Sequence, residues 1–254
     1  MITRGAALGI VALACSLLSC HPRRAGRDPV GPRAVLYAWD RPEQMDALDP
    51  ARAQVAFFAG KVMLTGDEVR YEPRHTPLSI APGVRAISVV HIESDHYRRP
   101  LLTDDQRRRL VAILVDAAKR FGASELQIDY EARVSERAFF RALMIEVRSA
   151  LGSDFRISMT ALASWCLFDG WIAGLPVDEA VPMLYRMGAD RDVIRSQLDA
   201  GRDFRVSLCR HSLAISTADP PPRLPSGRRV FAFNPVSFTP EEQIEIISNI
   251  LEMP

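Results

Sequence analysis

The sequence predicts an α/β protein that folds as a single (β/α)8 barrel of the TIM type, and three observations carry this prediction. Short apolar runs alternate with amphipathic segments from residue 34 onward, as expected for parallel strands joined by crossover helices. About eight strands fit into roughly 220 residues, which is close to the usual size of such a barrel. No glycine-rich phosphate turn follows the first strand, which argues against a doubly wound open sheet.

Each predicted strand is a short run of apolar, often β-branched residues that is bounded by turn or capping signals. Pro182 lies inside one of them and cannot donate to a ladder, so we expect pairing to be broken there. A hairpin strand with a turn at Thr65 to Asp67 is also expected. The barrel strands are predicted at residues 34–40, 54–59, 85–93, 125–131, 155–163, 179–186, within 205–217, and 229–234, with the hairpin strand at 62–71.

Helical periodicity and capping signals place the predicted helices between these strands. Thr103 to Gln106 is a capping box, and Thr239 is an N-cap ahead of the last helix. The helices are predicted at residues 42–52, 103–121, 135–151, 190–200 and 240–251, with a short helix at most over 171–175.

The beginning of the chain differs from the rest in composition. A cationic start is followed by an apolar run over residues 5–18 that is too short to span a membrane, which is typical of an export signal. The run ends Leu17-Leu18-Ser19-Cys20, which resembles the lipobox of bacterial lipoproteins, and a plain secretory signal cut nearby is the alternative. The resemblance implies a lipid on Cys20, which would anchor an exported protein to the membrane of the bacterial cell envelope. The implied organisation is a signal peptide at 1–19, a tether at 20–33 and the barrel at 34–254.

Beyond Cys20 and the signal peptide, only Cys166 and Cys209 remain as thiols. An exported protein can bridge them, and two buried free cysteines are an equally good interpretation. No Cys-x-x-Cys pair or Cys/His ligand spacing occurs, so we expect no metal site and no cofactor. His91 and Glu93 share a strand face, but one histidine and one acid at this spacing are more typical of packing than of a metal site.

The charge balance limits the classes of partner. Lys and Arg number 32 against 31 Asp and Glu, which gives a formal net charge of +1. A nucleic-acid-binding protein needs a basic excess to neutralise phosphates, so nucleic acid is excluded as the main partner. We expect a monomer.

Aromatic and polar residues recur at the carboxyl ends of the predicted strands, where barrels of this type bind ligands. Aromatic rings stack on pyranose faces and carboxylates hold hydroxyl groups, so this combination favours a carbohydrate ligand. Each residue taken alone is equally consistent with an ordinary exposed side chain or a salt bridge at the rim. The residues concerned are Trp39, Asp40, Glu93, Trp165, Tyr185, Arg186 and Asn234.

Gln127, Asp129 and Glu131 form the most specific pattern. Residues at i and i+2 on a strand share a face, so all three point into the barrel or its mouth. Neighbouring carboxyl groups have pKa values that are pushed apart, which gives one proton donor and one anion, as glycoside hydrolysis requires. The purely structural alternative is that Asp129 is bonded inside the barrel, to Arg186 or Tyr185.

Two segments resemble motifs of the chitinase-like glycoside hydrolases. Gln127-x-Asp129-x-Glu131 is similar to the Asp-x-Asp-x-Glu at the end of that family's fourth strand, and Met183-Leu-Tyr185 is similar to its Met-x-Tyr-Asp. The resemblance implies that Glu131 is the general acid, that Asp129 orients a substrate acetamido group and that Tyr185 stabilises the reacting amide. Gln127 and Arg186 depart from the family pattern, because both positions hold acids there.

A broader resemblance is to an uncharacterised family of bacterial lipoproteins with a barrel domain of unknown function. It covers most of residues 35–239, and its segments are 126–130, 158–165 and 178–188. It implies the fold and an envelope location but no reaction.

Together these observations predict a glycoside-hydrolase-like barrel that acts on envelope or extracellular carbohydrate, with Glu131 as general acid and Asp129 as its partner. Two alternatives stay open. One is a carbohydrate-binding protein without catalysis, and the other is a structural lipoprotein whose barrel binds a protein partner.

Overall fold

The structure is a computed structural model, and it describes residues 31–120 and 122–253. The predicted signal peptide, Cys20 and most of the tether lie outside these residues. Eleven strands are present in the described part of the chain: β1 (Ala34–Ala38), β2 (Glu43–Met45), β3 (Ala53–Thr65), β4 (Glu68–Pro73), β5 (Leu78–Ile80), β6 (Arg85–Ser94), β7 (Glu125–Asp129), β8 (Arg156–Leu162), β9 (Glu179–Met183), β10 (Ser212–Ser216) and β11 (Arg229–Phe233).

Eight of these described strands are parallel and close into a barrel, which confirms the predicted fold. The order around the barrel is β1, β3, β6, β7, β8, β9, β10 and β11, and β1 pairs with both β3 and β11 to close it. Because all eight strands run the same way, their carboxyl ends meet at one opening, which we call the mouth; the opposite end is the floor. As Pro182 predicts, β9 is poorly paired with β10, through the single register pair Met183 and Ala214.

Four α-helices surround the barrel in the described chain: α1 (Asp104–Arg120), α2 (Arg137–Leu151), α3 (Arg191–Asp199) and α4 (Pro240–Glu252). The predicted capping box forms between Thr103 and Gln106, and Thr239 is the N-cap of α4 as predicted, where Glu242 completes a second capping box. The helix predicted over 42–52 is wrong, because Glu43 and Met45 are buried while Gln44 is exposed, and this period of two makes β2, which pairs with β5. Residues 171–174 form turns instead of the short helix, and the helix of this loop is an earlier π-helical turn at Trp165–Asp169.

One wall of the mouth is raised above the rest. β3 and β6 are longer than the other barrel strands, and their pairing continues to Leu64 opposite Ser94. β4 pairs antiparallel with the end of β3, so the predicted hairpin is confirmed. A Cβ at Gly60 would lie 2.5 Å from the ring of Tyr71, so only glycine fits at this irregularity in β3. The raised strands carry Lys61, His91 and Glu93.

The inside of the barrel is layered. The floor is ionic: the buried Arg229 donates to both carboxylate oxygens of Glu125, at 3.0 and 3.1 Å, and to Glu179. Ser212 also donates to Glu179, at 2.7 Å. An apolar layer covers the floor, formed by Val35, Ala56, Ile87, Val89, Val181, Ala214 and Phe231. The third layer, at the mouth, is polar and aromatic.

Cys166 and Cys209 form a disulfide with a Cα–Cα distance of 6.0 Å, so the bridged alternative is the correct one. It ties the loop after β8 to the segment that leads into β10. Among residues 31–120 and 122–253, no helix has the length and apolar character needed to span a bilayer.

Candidate functional site

The mouth of the barrel contains a pocket of about 590 Å³. It is formed by the carboxyl ends of the strands and the first residues of the loops that follow them. Six of the ten residues that the sequence predicts for the site line it. Its lining includes Tyr37, Trp39, His91, Glu93, Asp129, Glu131, Thr160, Leu162, Met183, Tyr185, Arg186, Asp190 and Phe233.

The carboxylate of Asp129 is fixed in the pocket by two short contacts. It is the last residue of β7, and its two carboxylate oxygens have different partners. His91 Nδ1 lies 2.7 Å from Oδ2, and the Thr160 hydroxyl donates to Oδ1 at 2.6 Å. These partners come from the neighbouring strands β6 and β8, and they replace Arg186 and Tyr185, the partners expected under the structural alternative. Asp129 therefore has a fixed orientation at the base of the pocket.

His91 connects Asp129 to a second acid on the raised wall. Its Nε2 lies 3.6 Å from Glu93 Oε1, and Glu93 Oε2 forms an ion pair with Lys61. Burial lowers the pKa of His91, but the hydrogen bond and charge of Asp129, with help from Glu93, outweigh burial and raise it. The bond to Lys61 lowers the pKa of Glu93 despite partial burial. The wall thus carries alternating charges in the order Lys61, Glu93, His91, Asp129.

Glu131 follows β7 directly and is the freer acid of the pair. Glu131 is exposed, and its carboxyl group accepts no hydrogen bond from the described residues. Partial burial of the carboxyl raises the pKa of Glu131, the negative charge of Asp129 raises it further, and His91 opposes both. A carboxyl group of this kind keeps its proton to a higher pH than an ordinary glutamate, and it can transfer that proton to a ligand in the pocket.

Aromatic rings supply the apolar part of the lining. Tyr185 and Phe233 are stacked, with ring centroids 5.7 Å apart and planes at 13°. Trp39 meets Phe233 edge-on at 6.2 Å and lies 6.0 Å from the His91 ring. The Trp39 carbonyl accepts a hydrogen bond of 2.6 Å from Arg74, which fixes the backbone that carries the ring. Burial and the charge of Asp129 raise the pKa of Tyr185, so its hydroxyl stays protonated as a donor.

Four residues predicted for the site do not line the pocket. Gln127 is fully buried below it, where it accepts from the Tyr37 hydroxyl at 2.7 Å. Trp165 is in the π-helical turn after β8, which turns its ring into the core against Trp171 at a centroid distance of 5.0 Å. Asn234 is buried and accepts from Thr217, and Asp40 is exposed and accepts from Thr76.

Sequence reasoning missed several lining residues, among them His91, Thr160 and Phe233. In the sequence, His91 has a single acid two residues away, a spacing that is more typical of packing than of a functional site. Its partner comes from the next strand, since His91 and Asp129 are register partners in the β6–β7 pair. Thr160 lies on β8, and its hydroxyl likewise meets Asp129 across a strand boundary. Aligning the predicted strands in register is the signal that could have found both.

No group of three or more His, Cys, Asp and Glu side chains arranged to hold a metal ion occurs in residues 31–120 and 122–253. Arg186 is the cation that lines the pocket from the β9 loop, and it adopts a left-handed backbone conformation, with φ of 50°.

The chain is similar in fold to several solved structures of carbohydrate-active enzymes. A candidate chitinase A from Streptomyces coelicolor matches with a TM-score of 0.56 and 10% identity, over 87% of this chain and 96% of its own. A fungal endo-β-N-acetylglucosaminidase of glycosyl hydrolase family 18 matches with a TM-score of 0.53 and 15% identity, over 85% and 98%. A GH113 β-mannanase from Alicyclobacillus acidocaldarius gives 0.50 and 10%, over 89% and 99%. At such identities the similarity establishes the fold.

No protein-family model matches the chain, and no curated protein matches it either. The chemistry of the site therefore has to be argued from its own residues.

Proposed function

We propose that the protein is a glycoside hydrolase that acts on envelope or extracellular carbohydrate, with Glu131 as general acid and Asp129 as its charged partner. One observation carries the proposal: a carboxyl group with a raised pKa stands in an open pocket, two residues from a carboxylate that His91 and Thr160 hold in place. This division into a proton donor and a fixed anion is what cleavage of a glycosidic bond uses.

In the proposed reaction a sugar ring enters the pocket and contacts the aromatic faces of Trp39, Tyr185 and Phe233. Glu131 transfers its proton to the glycosidic oxygen as the bond to the anomeric carbon breaks, and the leaving sugar departs as an alcohol. Positive charge then develops at the anomeric carbon, and the negative charge of Asp129 stabilises it. Water supplies the hydroxyl group of the product, and its second proton restores Glu131.

N-acetylated glycans are the first substrate class to test. In that class an acetamido group could donate its N–H to Asp129, which the resemblance of residues 127–131 to the chitinase-like motif implies. Two of the structural matches are a candidate chitinase and an endo-β-N-acetylglucosaminidase. β-Mannan is the second class, after the GH113 match.

Carbohydrate binding without cleavage is the second candidate function, and a specific observation favours it. Gln127 stands where the resembled motif has an acid, and its amide is tied to Tyr37 and Ser158. Arg186 adds a cation to the pocket where that family has a second acid. Both positions thus lack the acids of the resembled motifs, while the hydrogen-bonding groups that line the pocket are present.

We also propose that the protein is exported and held in the cell envelope by a lipid on Cys20. The residues of the signal and tether support this, and so does the Cys166–Cys209 disulfide, because such bonds persist in oxidising compartments outside the cytoplasm. Mass spectrometry of the mature N-terminus tests it: a diacylated Cys20 is expected, and an unmodified mature chain beginning elsewhere would contradict it.

The experiment that separates the candidate functions is a screen of the full chain against N-acetylated and mannan oligosaccharides, read by binding and by release of reducing ends. The enzyme releases reducing ends, whereas the binding protein retains glycan through long incubation without release. The Asp129→Ala chain is the control, and it should lose binding in either case. If the chain binds no glycan at all, both candidate functions are contradicted, and the remaining alternative is a structural lipoprotein that binds a protein partner.

A further inference from the structure

A second pocket, of about 760 Å³, lies at the floor end of the barrel, away from the carbohydrate site. It is bounded by the end of α3, the loops that lead into β10 and β11, and Met253 at the end of α4. Its charged lining consists of Arg202, Arg223 and Arg228 with a single acid, Asp203. The pocket therefore has an excess of positive charge, although the chain as a whole is nearly neutral.

Arg228 is the deepest of these cations and is 8% exposed. Its Nη2 donates to Asp203 Oδ2 at 2.5 Å, which accounts for one side of the guanidinium. Its Nε and Nη1 are buried and have no hydrogen-bond partner in the described part of the chain. Buried charged donors are costly to leave unpaired, so the arrangement lacks an acceptor.

The other two arginines, Arg202 and Arg223, line the same pocket. A Cβ on Gly201 would lie 3.8 Å from Arg223 Nη1, so the Arg223 guanidinium lies beside the glycine at the pocket wall. No hydrogen bond from this guanidinium is formed within residues 31–120 and 122–253. Arg202 donates to Gln197 through Nη1 at 3.0 Å, and its other guanidinium donors form no hydrogen bond with the residues that the structure describes. The planar guanidinium groups present paired donors that match the oxygens of a phosphate group.

The location of the pocket indicates where such a group could come from. Arg33, just before β1, donates to the carbonyl oxygens of Arg228 at 3.0 Å and of Met253 at 3.4 Å. The chain that precedes the barrel therefore leaves it beside this pocket. With a lipid on Cys20, thirteen residues before Arg33, the pocket would be near the membrane surface and the mouth would face away from it.

We propose that the pocket of Arg202, Arg223 and Arg228 is a binding site for a phosphate group. The group belongs either to an anionic lipid headgroup or to a free phosphate ester. The proposal is independent of the carbohydrate chemistry, because no residue of the mouth takes part.

The test uses the full chain with Cys20→Ser, which cannot be lipidated, and titrates it with inorganic phosphate followed by calorimetry. Saturable binding is expected, and the Arg202→Gln/Arg223→Gln chain should bind about tenfold or more weakly, since each lost guanidinium removes charged hydrogen bonds. Both arginines are exposed, so this chain keeps the fold. Arg99→Gln is the matched control: it removes the same charge from an exposed site in the loop after β6 and should bind phosphate as the parent does.

Sedimentation with phosphatidylcholine vesicles, with and without phosphatidylglycerol, identifies the source of the phosphate. Binding that needs phosphatidylglycerol and is lost in the double variant supports a headgroup site. Binding of inorganic phosphate alone supports a soluble ester. Absence of saturable phosphate binding, or affinity that the double variant leaves unchanged, would overturn the proposal.

Discussion

The floor and the mouth of the barrel both hold acids on β7, but these acids differ in their cationic partners and in their exposure to solvent. At the floor, Glu125 lies beneath the apolar layer and is matched by Arg229, whose charge is permanent. At the mouth, Asp129 is matched by His91, whose charge depends on pH, and Glu131 has no cationic partner in direct contact among the described residues. Two sites only four residues apart on one strand thus differ in their countercharge and in their access to water.

The difference separates a structural role from a chemical one. Charges removed from water are tolerated only when they are fully paired, and a sealed pair can exchange neither protons nor ligands. A carboxyl group in an open pocket with a titratable neighbour can do both. The same residue types therefore predict stability at the floor and function at the mouth.

The largest effect is expected at the floor. Arg229→Met leaves Glu179 buried without its countercharge and Glu125 with only Arg156 at 3.5 Å, so the free energy of unfolding should fall by about 3–5 kcal/mol in urea denaturation. The matched change at the mouth is Glu131→Gln, which should alter it by less than about 0.5 kcal/mol because Glu131 is exposed. Equal losses in the two variants would remove the distinction between the sites.

Asp129→Asn should have an intermediate effect on stability. It weakens the bond to His91 and alters the one from Thr160, so a loss of about 1–3 kcal/mol is expected. His91 has a raised pKa in the folded chain, so its ion pair stabilises the fold fully below the ordinary value of about pH 6.5 and stops doing so as the pH rises through the folded value. The difference between the two chains should therefore narrow at alkaline pH. A gap that does not depend on pH would show that His91 is not charged beside Asp129.

His91→Gln should move the pH profile of activity without abolishing it. The proposed proton donor, Glu131, must be protonated to act, so activity should fall as the pH rises through the pKa of Glu131. The positive charge of His91 lowers that pKa, and its removal should shift the alkaline limb to higher pH. The measurement is the pH dependence of kcat/KM on the glycan that the screen identifies. A limb that moves to lower pH would contradict this charge arrangement.

Lys61→Met should have the smallest effect. The Lys61–Glu93 pair is partly exposed on the raised wall, and such pairs contribute at most about 1 kcal/mol to stability. Lys61 lowers the pKa of Glu93, so its loss should raise that pKa, which carboxyl NMR titration can follow. A stability loss as large as that of Arg229→Met would mean that the Lys61–Glu93 pair stabilises the fold as strongly as the buried ion pairs of Arg229.

The parts of this structure that were predicted correctly depend on local pattern. Alternating apolar runs and capping residues predicted the barrel and its last helix, and the i, i+2 spacing placed Asp129 and Glu131 at one mouth. The helix predicted over 42–52 failed because its burial has a period of two, which becomes clear only when β5 is there to pair with it.

The parts that were missed depend on contacts between strands. His91 and Thr160 meet Asp129 only because β6 and β8 lie on either side of β7 in a particular register. Trp165 follows the end of β8 in sequence, but a π-helical turn directs it into the core, and no local signal distinguishes that turn from a rim loop. The Cys166–Cys209 bridge likewise needs the two segments to be adjacent in space.

The most direct test of the proposed function is the turnover of Glu131→Gln on the glycan that the parent chain cleaves, measured together with its affinity for that glycan. Loss of a general acid should lower kcat by about 10²–10⁴-fold while Kd stays within a few-fold, because the amide keeps the shape of the pocket. Turnover equal to that of the parent would contradict the assignment of Glu131 as the proton donor.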